Sequence, residues 1–393
     1  MSDGDHVHTD LVSSYKKNVR LSFRKKPIMK NLLIYGLLLL PAILKAQVPT
    51  DNGLSAAVTR ALPAVVVVQS FLSDSILAVR PQSPLVKNLP TAATETGKLI
   101  ASASGVVLSA DGYVMTNAHV LAGGDSLNVI LPNRRSYRAV LVGTDDQADL
   151  ALLKIAASGL AFIERGDPGL LGIGDQVLAI GNPLELTSTV TAGILSARYR
   201  SIDDNLTLST VNSFLQTDAA INEGMSGSAL LNRQGQLIGM NAAIISPSGT
   251  FAGYSFAIPA QLVYKAYHDL LRYTHVRHGC LEGSFSDLND AQARRLGTST
   301  ANGVLVESVL KSGAGYQAGL RKNDVITAVD RQPVYFAAQL REIIAIRDPG
   351  EQLELTVEHS GKVTVITAVL SENRDRRDLA GRQHAPNVKQ VQH

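Results

Sequence analysis

Residues 216–230 read Gln216-Thr217-Asp218-Ala219-Ala220-Ile221-Asn222-Glu223-Gly224-Met225-Ser226-Gly227-Ser228-Ala229-Leu230. A serine sits in this stretch with glycines two places before it and one after. Such a loop can turn sharply, expose a hydroxyl and aim backbone N–H groups at one point, as a nucleophilic serine requires. A plain turn uses the same residues, so the reading depends on finding a base and an orienting acid elsewhere. Between residues 47 and 266 there is one histidine, His119, near the end of Gly112-Tyr113-Val114-Met115-Thr116-Asn117-Ala118-His119-Val120. Imidazole is the usual base for a serine near neutral pH. Asp149 is the last acid before the apolar run Leu150-Ala151-Leu152-Leu153-Lys154-Ile155. A carboxylate there can fix a histidine tautomer and stabilise its cation. Asp145 and Asp146, just upstream, read as solvated turn residues.

Around these residues short apolar runs alternate with turns. Strands are expected at Ala64–Gln69, Gly105–Leu108, Tyr113–Thr116, Leu127–Leu131, Leu150–Ile155, Val177–Ile180, Thr189–Ala197, Ser228–Leu231 and Leu237–Ile245. Turns such as Ala110-Asp111-Gly112 and Arg233-Gln234-Gly235 separate them. Many short strands at close spacing indicate barrels or sandwiches. The order His119, Asp149, Ser226 selects the chymotrypsin arrangement over the α/β-hydrolase and subtilisin ones. The expected fold is therefore mainly β, a chymotrypsin-like double β-barrel over residues 47–272. The N–H groups of Gly224 and Ser226 are the expected oxyanion hole, and losing one such donor typically costs about 3–4 kcal/mol of barrier. Apolar positions Leu262, Val263, Ala266, Leu270 and Leu271 have helical spacing, so a helix over Pro259–Tyr273 closes the domain.

Composition agrees with folded cores: 393 residues, 45% hydrophobic and 18% charged. The net charge of +3 arises largely from a basic leader, residues 1–31, with Lys16, Lys17, Arg20, Arg24, Lys25, Lys26 and Lys30. The rest is nearly balanced, so nothing asks for nucleic acid. The apolar run of residues 32–46 follows the leader directly, which is the layout of a transmembrane anchor or a signal peptide. An anchor puts the catalytic domain outside the membrane, and cleavage near Leu44-Lys45-Ala46 would instead release a soluble form. Cys280 is the only cysteine, so no intrachain disulfide can form. Residues 72–99, with Pro81, Pro84 and Pro90, read as a long loop. Residues 372–393 are polar without periodicity and read as a disordered tail.

At these motifs the chain resembles the HtrA/Deg family of trypsin-like serine proteases over about residues 52–370. The resemblance runs through Ser104-Gly105-Val106-Val107, the Thr116–Val120 block, Asp149–Lys154, Ile180-Gly181-Asn182-Pro183, Gly193–Ala197, Gln216–Asn222 and Phe256-Ala257-Ile258-Pro259. One anchor and one downstream module make it most like the DegS subtype. That resemblance implies a regulated serine endopeptidase acting on unfolded or regulatory envelope proteins, a homotrimer and no cofactor or metal. It implies single-pass placement in the bacterial inner membrane with the catalytic domain in the periplasm, or a soluble periplasmic form after cleavage. Arg200 matches the family's sensor-loop arginine. Ala220, Ile221 and Ala243 match positions lining the substrate pocket. No acid stands at its base, so cleavage after small aliphatic residues is expected. Three residues depart from the common nucleophile string: Glu223 replaces Pro, Met225 replaces Asn and Ser228 replaces Gly. Glutamyl endopeptidases of this fold also carry Ser-Gly-Ser. Met225 keeps a catalytically silent sensor or chaperone open as an alternative.

Residues 278–371 resemble a circularly permuted PDZ domain of α+β type, through Gly303–Glu307, Ser312–Leu320 and Asp324–Thr327. Such modules bind an extended C-terminus as an added strand. The resemblance assigns Cys280, Leu281, Glu282 and Gly283 to the carboxylate-binding loop. It makes C-terminal peptides of unfolded proteins the expected partners. Phe336–Ile346 is expected to wall the groove. Glu282 is anomalous there, because its charge would repel a ligand carboxylate.

Overall fold

The computed structural model describes residues 53–72, 97–183, 188–202, 211–244 and 252–372, without the side chains of 243 and 244. The expected leader 1–31, apolar run 32–46 and tail beyond 372 lie outside the described residues, as does most of the 72–99 loop. Among the described residues no helix is long and apolar enough to cross a membrane.

Helix α1 (Gly53–Ala61) leads into β1 (Val65–Leu72). Strands β2 (Lys98–Val107), β3 (Tyr113–Thr116), β4 (Ser126–Ile130), β5 (Ser136–Asp145) and β6 (Leu150–Ile155) complete the first domain half. They close as a barrel in the order β1-β2-β3-β6-β5-β4. A second set follows: β7 (Gln176–Gly181), β8 (Thr189–Arg200), β9 (Phe214–Thr217), β10 (Ala229–Leu231), β11 (Leu237–Ile244) and β12 (Ser255–Pro259). It closes in the order β10-β11-β12-β9-β8-β7. Closure pairs every strand and leaves no open sheet edge. Inward residues such as Val66, Val68, Val106, Val114 and Leu152 are fully buried in the first barrel. Strand β5 carries the least visible signal: Val140 is 66% and Leu141 45% exposed, so apolar residues do not mark its inner face.

Helix α2 (Ala260–Arg272) follows Pro259 and buries Leu262, Val263, Ala266 and Leu270 of the expected stripe, whereas Leu271 turns outward and is 42% exposed. The second domain then runs β13 (Gly279–Cys280), β14 (Gly283–Asp287), α3 (Asp290–Leu296), β15 (Val304–Val309), α4 (Ala314–Gln317), β16 (Val325–Val329), β17 (Gln332–Pro333), α5 (Ala337–Ala345), β18 (Gln352–His359), β19 (Lys362–Val369) and β20 (Ser371–Glu372). Its main sheet has the order β14-β15-β16-β18-β19. Leu281, Val306, Leu320, Leu340 and Leu355 share its core.

The two domains meet through polar groups that periodicity does not reveal. His278 is 1% exposed and its Nε2 lies 2.9 Å from Asp145 Oδ2. Its Nδ1 lies 2.7 Å from the Ala345 carbonyl. Asp145 is therefore not a solvated turn residue. It is 3% exposed, caps its own turn through the Gln147 and Ala148 N–H groups, and pairs with a histidine 133 positions away. Burial alone pulls the imidazole of His278 down, but the Asp145 charge and hydrogen bond outweigh it and hold His278 above its usual value. On α5, Glu342 accepts a 2.6 Å bond from Ser213 Oγ of the second barrel.

Candidate active site

Strand pairing assembles the first two site residues. Strands β3 and β6 pair with Thr116 opposite Ala151, so the residues just after β3 and just before β6 are neighbours. His119 lies in the short 3-10 turn Ala118–Leu121, and Asp149 sits at φ 58 before β6. Asp149 Oδ2 is 2.7 Å from His119 Nδ1, and Oδ1 accepts the His119 backbone N–H at 2.9 Å. The Asp149 carbonyl accepts Asn117 Nδ2 at 3.0 Å and the Ala118 N–H at 3.2 Å. These bonds hold Asp149 in the left-handed conformation a carboxylate side chain tolerates. A carboxylate only accepts, so Nδ1 must carry the proton and Nε2 is left as the basic nitrogen.

The Ser226 loop comes from the second barrel and is gripped by the first. Ser104 N–H of β2 donates to the Ser226 carbonyl at 2.9 Å, and Gly227 N–H donates to the Asn241 carbonyl at 2.8 Å. Gly227 has φ 79, and a Cβ there would lie 2.2 Å from the Ser104 carbonyl oxygen and 2.5 Å from Thr116 Oγ1. The glycine after the serine is thus required by backbone contact between the barrels. Asn222 to Met225 form a turn closed by Met225 N–H to Asn222 carbonyl at 3.0 Å, with Gly224 at φ 87. Positive φ at the third turn position is the type II signature, which sets the orientation of the central peptide and so of the Gly224 N–H. Among the described residues, neither Gly224 N–H nor Ser226 N–H is used as a donor, as an oxyanion hole demands.

The departures at this loop are absorbed by packing. Met225 is 1% exposed and packs with Val177, Leu195, Leu215, Ile221 and Leu230 inside the second barrel. An apolar side chain anchors the turn there. Met225→Ala is expected to lower stability by about 2 kcal/mol, read as a lower melting temperature. An unchanged melting temperature would show that Met225 does not anchor the turn. Ser228 is fully buried, and its Oγ accepts Asn241 Nδ2 at 2.9 Å. Gly181 makes room for it, since a Cβ there would lie 2.6 Å from Ser228 Cβ. Glu223 is exposed.

Of the expected pocket residues, Ala220 is half-buried and its carbonyl accepts Thr191 Oγ1 at 2.8 Å. Ile221 is 3% exposed and packs in the barrel interior with Met225. The side chain of Ala243 lies outside the described residues. Arg200 is exposed at the end of β8, with Nε 2.9 Å from Gln216 Oε1.

Cys280, Leu281, Glu282 and Gly283 line a cavity of about 330 Å³ together with Phe285 and Ile344. Gln147 and Val211 of the barrel domain line it too, next to Arg341. Glu282, at φ 54, is already held by two donors: Oε2 accepts Ala314 N–H at 2.9 Å and Ser371 Oγ at 2.8 Å. Its charge caps α4, which weakens the expected clash with a ligand carboxylate. Burial pushes the Cys280 thiol up, and its Sγ accepts the Glu282 N–H at 3.2 Å. It is a groove-lining residue, not an activated thiol.

Two closed barrels, one with a histidine–carboxylate pair and the other with a glycine-flanked serine loop bonded back to the first, define a trypsin-like peptidase, joined to a PDZ domain. Models of those two families match residues 103–240, "Trypsin-like peptidase domain", and residues 283–370, "PDZ domain". A Haemophilus influenzae protein described as "Probable periplasmic serine protease do/HhoA-like" is 42% identical over 66% of this chain and 56% of its own length. A Pseudomonas fulva "Probable periplasmic serine endoprotease DegP-like" is 34% identical over 87% of this chain and 69% of its own. A solved structure described as "HtrA-type protease AlgW with decapeptide" is 35% identical, covers 82% of this chain and 99% of its own, and superposes with a TM-score of 0.61. The chain belongs to the HtrA family of trypsin-like serine proteases. It spans little more than half the length of the Haemophilus relative.

Proposed function

We propose that this chain is a serine endopeptidase of the bacterial envelope, with Ser226 as nucleophile, His119 as general base and Asp149 as its orienting acid. The observation carrying this reading is the doubly bonded Asp149–His119 unit on the same barrel whose Ser104 and Thr116 pack against the Ser226 loop. Nε2 of His119 takes the Ser226 hydroxyl proton as Oγ attacks the scissile carbonyl. The carbonyl oxygen becomes an oxyanion held by Gly224 and Ser226 N–H. His119 then gives its proton to the leaving amine. A water, deprotonated by the same nitrogen, hydrolyses the acyl ester and regenerates the serine. The absence of an acid at Ala220 favours small aliphatic side chains before the cleaved bond.

Control of this site by a C-terminal peptide in the PDZ groove is supported by the position of α5. Its residues Arg341 and Ile344 line the groove. The same helix reaches the second barrel: Arg341 Nε donates to the Val211 carbonyl at 3.2 Å, and Glu342 accepts from Ser213. A peptide that shifts α5 would act directly on the segment leading into strand β9. A homotrimer tethered to the inner membrane by residues 32–46, as in the DegS subtype, completes the proposal.

The test is labelling of the purified chain with a fluorophosphonate probe, with and without hydrophobic C-terminal peptides. Ser226-dependent labelling that rises with peptide is expected. A folded chain that never labels would reassign it as a silent sensor. Labelling indifferent to every peptide would remove the gating role of the groove.

A further inference from the structure

The Ser226 loop is bonded on two flanks. On one, Gly227 N–H donates to the Asn241 carbonyl of β11 at 2.8 Å, and on the other, Ser104 N–H of β2 donates to the Ser226 carbonyl at 2.9 Å. The residue before the cleaved bond is expected on the β11 flank, where position 243 stands. The chain after the bond therefore leaves over the β2 flank. Strand register sets what it meets there. Val67 of β1 stands opposite Ser104 on one side and opposite Ile130 of β4 on the other. Residues directly opposite in a sheet point to one face, so Ser104, Val67 and Ile130 form a row across three strands. At about 4.8 Å between strands the row is roughly 10 Å long, the reach of about three extended residues.

Val67 and Ile130 line a cavity of about 510 Å³ with Val65, Leu131, Arg134 and Asn182. Asn182 ties that cavity to the site. Its N–H donates at 2.9 Å to the Ser104 hydroxyl, which itself donates to the Gly224 carbonyl at 2.8 Å. Asn182 is 5% exposed, and its Oδ1 accepts Ser188 Oγ at 3.1 Å. Its Nδ2 has no hydrogen-bond partner among the described residues. A buried amide donor without an acceptor is costly, and a ligand carbonyl would relieve it. The rim is cationic. Arg134, at φ 66, Arg135 and Arg138 are exposed on the β4–β5 hairpin, and none of them pairs with a carboxylate among the described residues. Ser136 stands opposite Ile130 and Arg138 opposite Asn128, so Arg138 shares the face of the cavity. An apolar wall, an amide donor at the floor and cations at the rim fit an extended polypeptide with acidic side chains. A flat anionic membrane would reach the arginines but not Asn182.

We propose that this cavity is a substrate subsite for the polypeptide after the cleaved bond, and that it selects acidic residues there. Its apolar wall takes an aliphatic side chain, and Asn182 Nδ2 donates to a substrate carbonyl. Arg134 and Arg138 pair with carboxylates about three residues or more beyond the bond. The proposal rests on the reading of Ser226 as nucleophile and deepens it by naming a substrate class.

The test uses the full chain and quenched fluorescent peptides with valine before the cleaved bond, in which a Glu-Glu pair is walked along both sides of that bond. A pair about three to five residues after the bond is expected to raise kcat/KM about fivefold over Gln-Gln at the same place, the ratio one exposed ion pair can supply. The gain should appear in KM, shrink with added salt and be absent when the pair precedes the bond. Arg134→Asn keeps a residue that tolerates positive φ. Combined with Arg138→Gln, it should cut the ratio below about twofold. Arg138→Glu should turn the preference toward Lys-Lys. Each ratio is taken within one protein, so a general loss of activity in a variant does not mimic it. Equal rates for Glu-Glu and Gln-Gln at every position after the bond, or a preference untouched in the Arg134→Asn, Arg138→Gln protein, overturns the proposal. Arg138-dependent binding to phosphatidylglycerol vesicles without any peptide preference would overturn it in favour of a lipid-facing patch. Binding of the same peptides to Ser226→Ala, read by fluorescence anisotropy, separates the subsite from the nucleophile assignment. An acidic preference there, while the wild type cleaves nothing, would retire the catalytic reading and keep the peptide groove.

Discussion

The Asp149→Asn enzyme is expected to lose about four orders of magnitude in kcat, as orienting-aspartate replacements in such triads do, while keeping its fold. Both carboxylate oxygens of Asp149 are in use as acceptors, Oδ1 for the His119 backbone N–H and Oδ2 for Nδ1. Asparagine has one acceptor oxygen. The backbone N–H can only donate, so that oxygen must stay with it, and the amide NH2 turns to Nδ1. His119 then has to accept at Nδ1 and carry its proton on Nε2, where it cannot take one from Ser226. The hydrogen-bond count survives the exchange, so the melting temperature should move little. Steady-state kinetics with a melting curve checks this. Activity within tenfold of wild type would remove Asp149 from the mechanism.

The second large effect concerns the junction between domains. Glu342 is 8% exposed, and burial pushes its carboxyl from the ordinary 4.5 to about 7, with the Ser213 hydrogen bond and Arg198 only partly opposing it. Its folded value is raised, so the docked helix favours the protonated acid. That stabilisation is complete below about pH 4.5 and is lost as pH rises through about 7. The shift corresponds to roughly 3 kcal/mol across the window. His278 is also raised, so its contribution is present below 6.5 and lost above. Both groups loosen the junction in the same direction. Tyr199, facing Glu342, is raised by burial first and by the Glu342 charge second, and so stays neutral throughout. The wild-type melting temperature should therefore fall between pH 5 and pH 8. Glu342→Gln, neutral at every pH, should flatten much of that fall. Identical slopes for the two proteins would rule out Glu342 as the titrating group.

The proposed catalytic assignment could be read early because its constraints are local in type and ordered along the chain. A serine between glycines, a lone histidine after an apolar strand and an acid before another leave few arrangements once a β-rich domain is granted. The barrels were readable for a similar reason: alternation marks a strand wherever one face is buried. It failed to mark β5, whose outward residues include Val140 and Leu141. Ser104 stood inside a quoted block, yet nothing in a serine on a strand says that its hydroxyl will meet a carbonyl 120 positions later.

Asp145 and Glu342 illustrate the remaining gap. An acid in a turn and an acid on an amphipathic helix carry no local sign of burial. Each becomes a buried partner only because a distant segment, His278 or Ser213, packs over it. Met225 looked like a threat to the oxyanion loop, and packing made it the anchor of that loop. The order of residues along the chain thus determined the class of fold, the proposed reacting groups and the division into two domains. Those follow from periodicity and from side-chain chemistry. Only the tertiary structure decided how the Ser226 loop is gripped between the barrels and which charges lie between the domains. Such features depend on contacts between residues far apart in sequence, whose dielectric surroundings and hydrogen-bond partners exist only after the chain has folded.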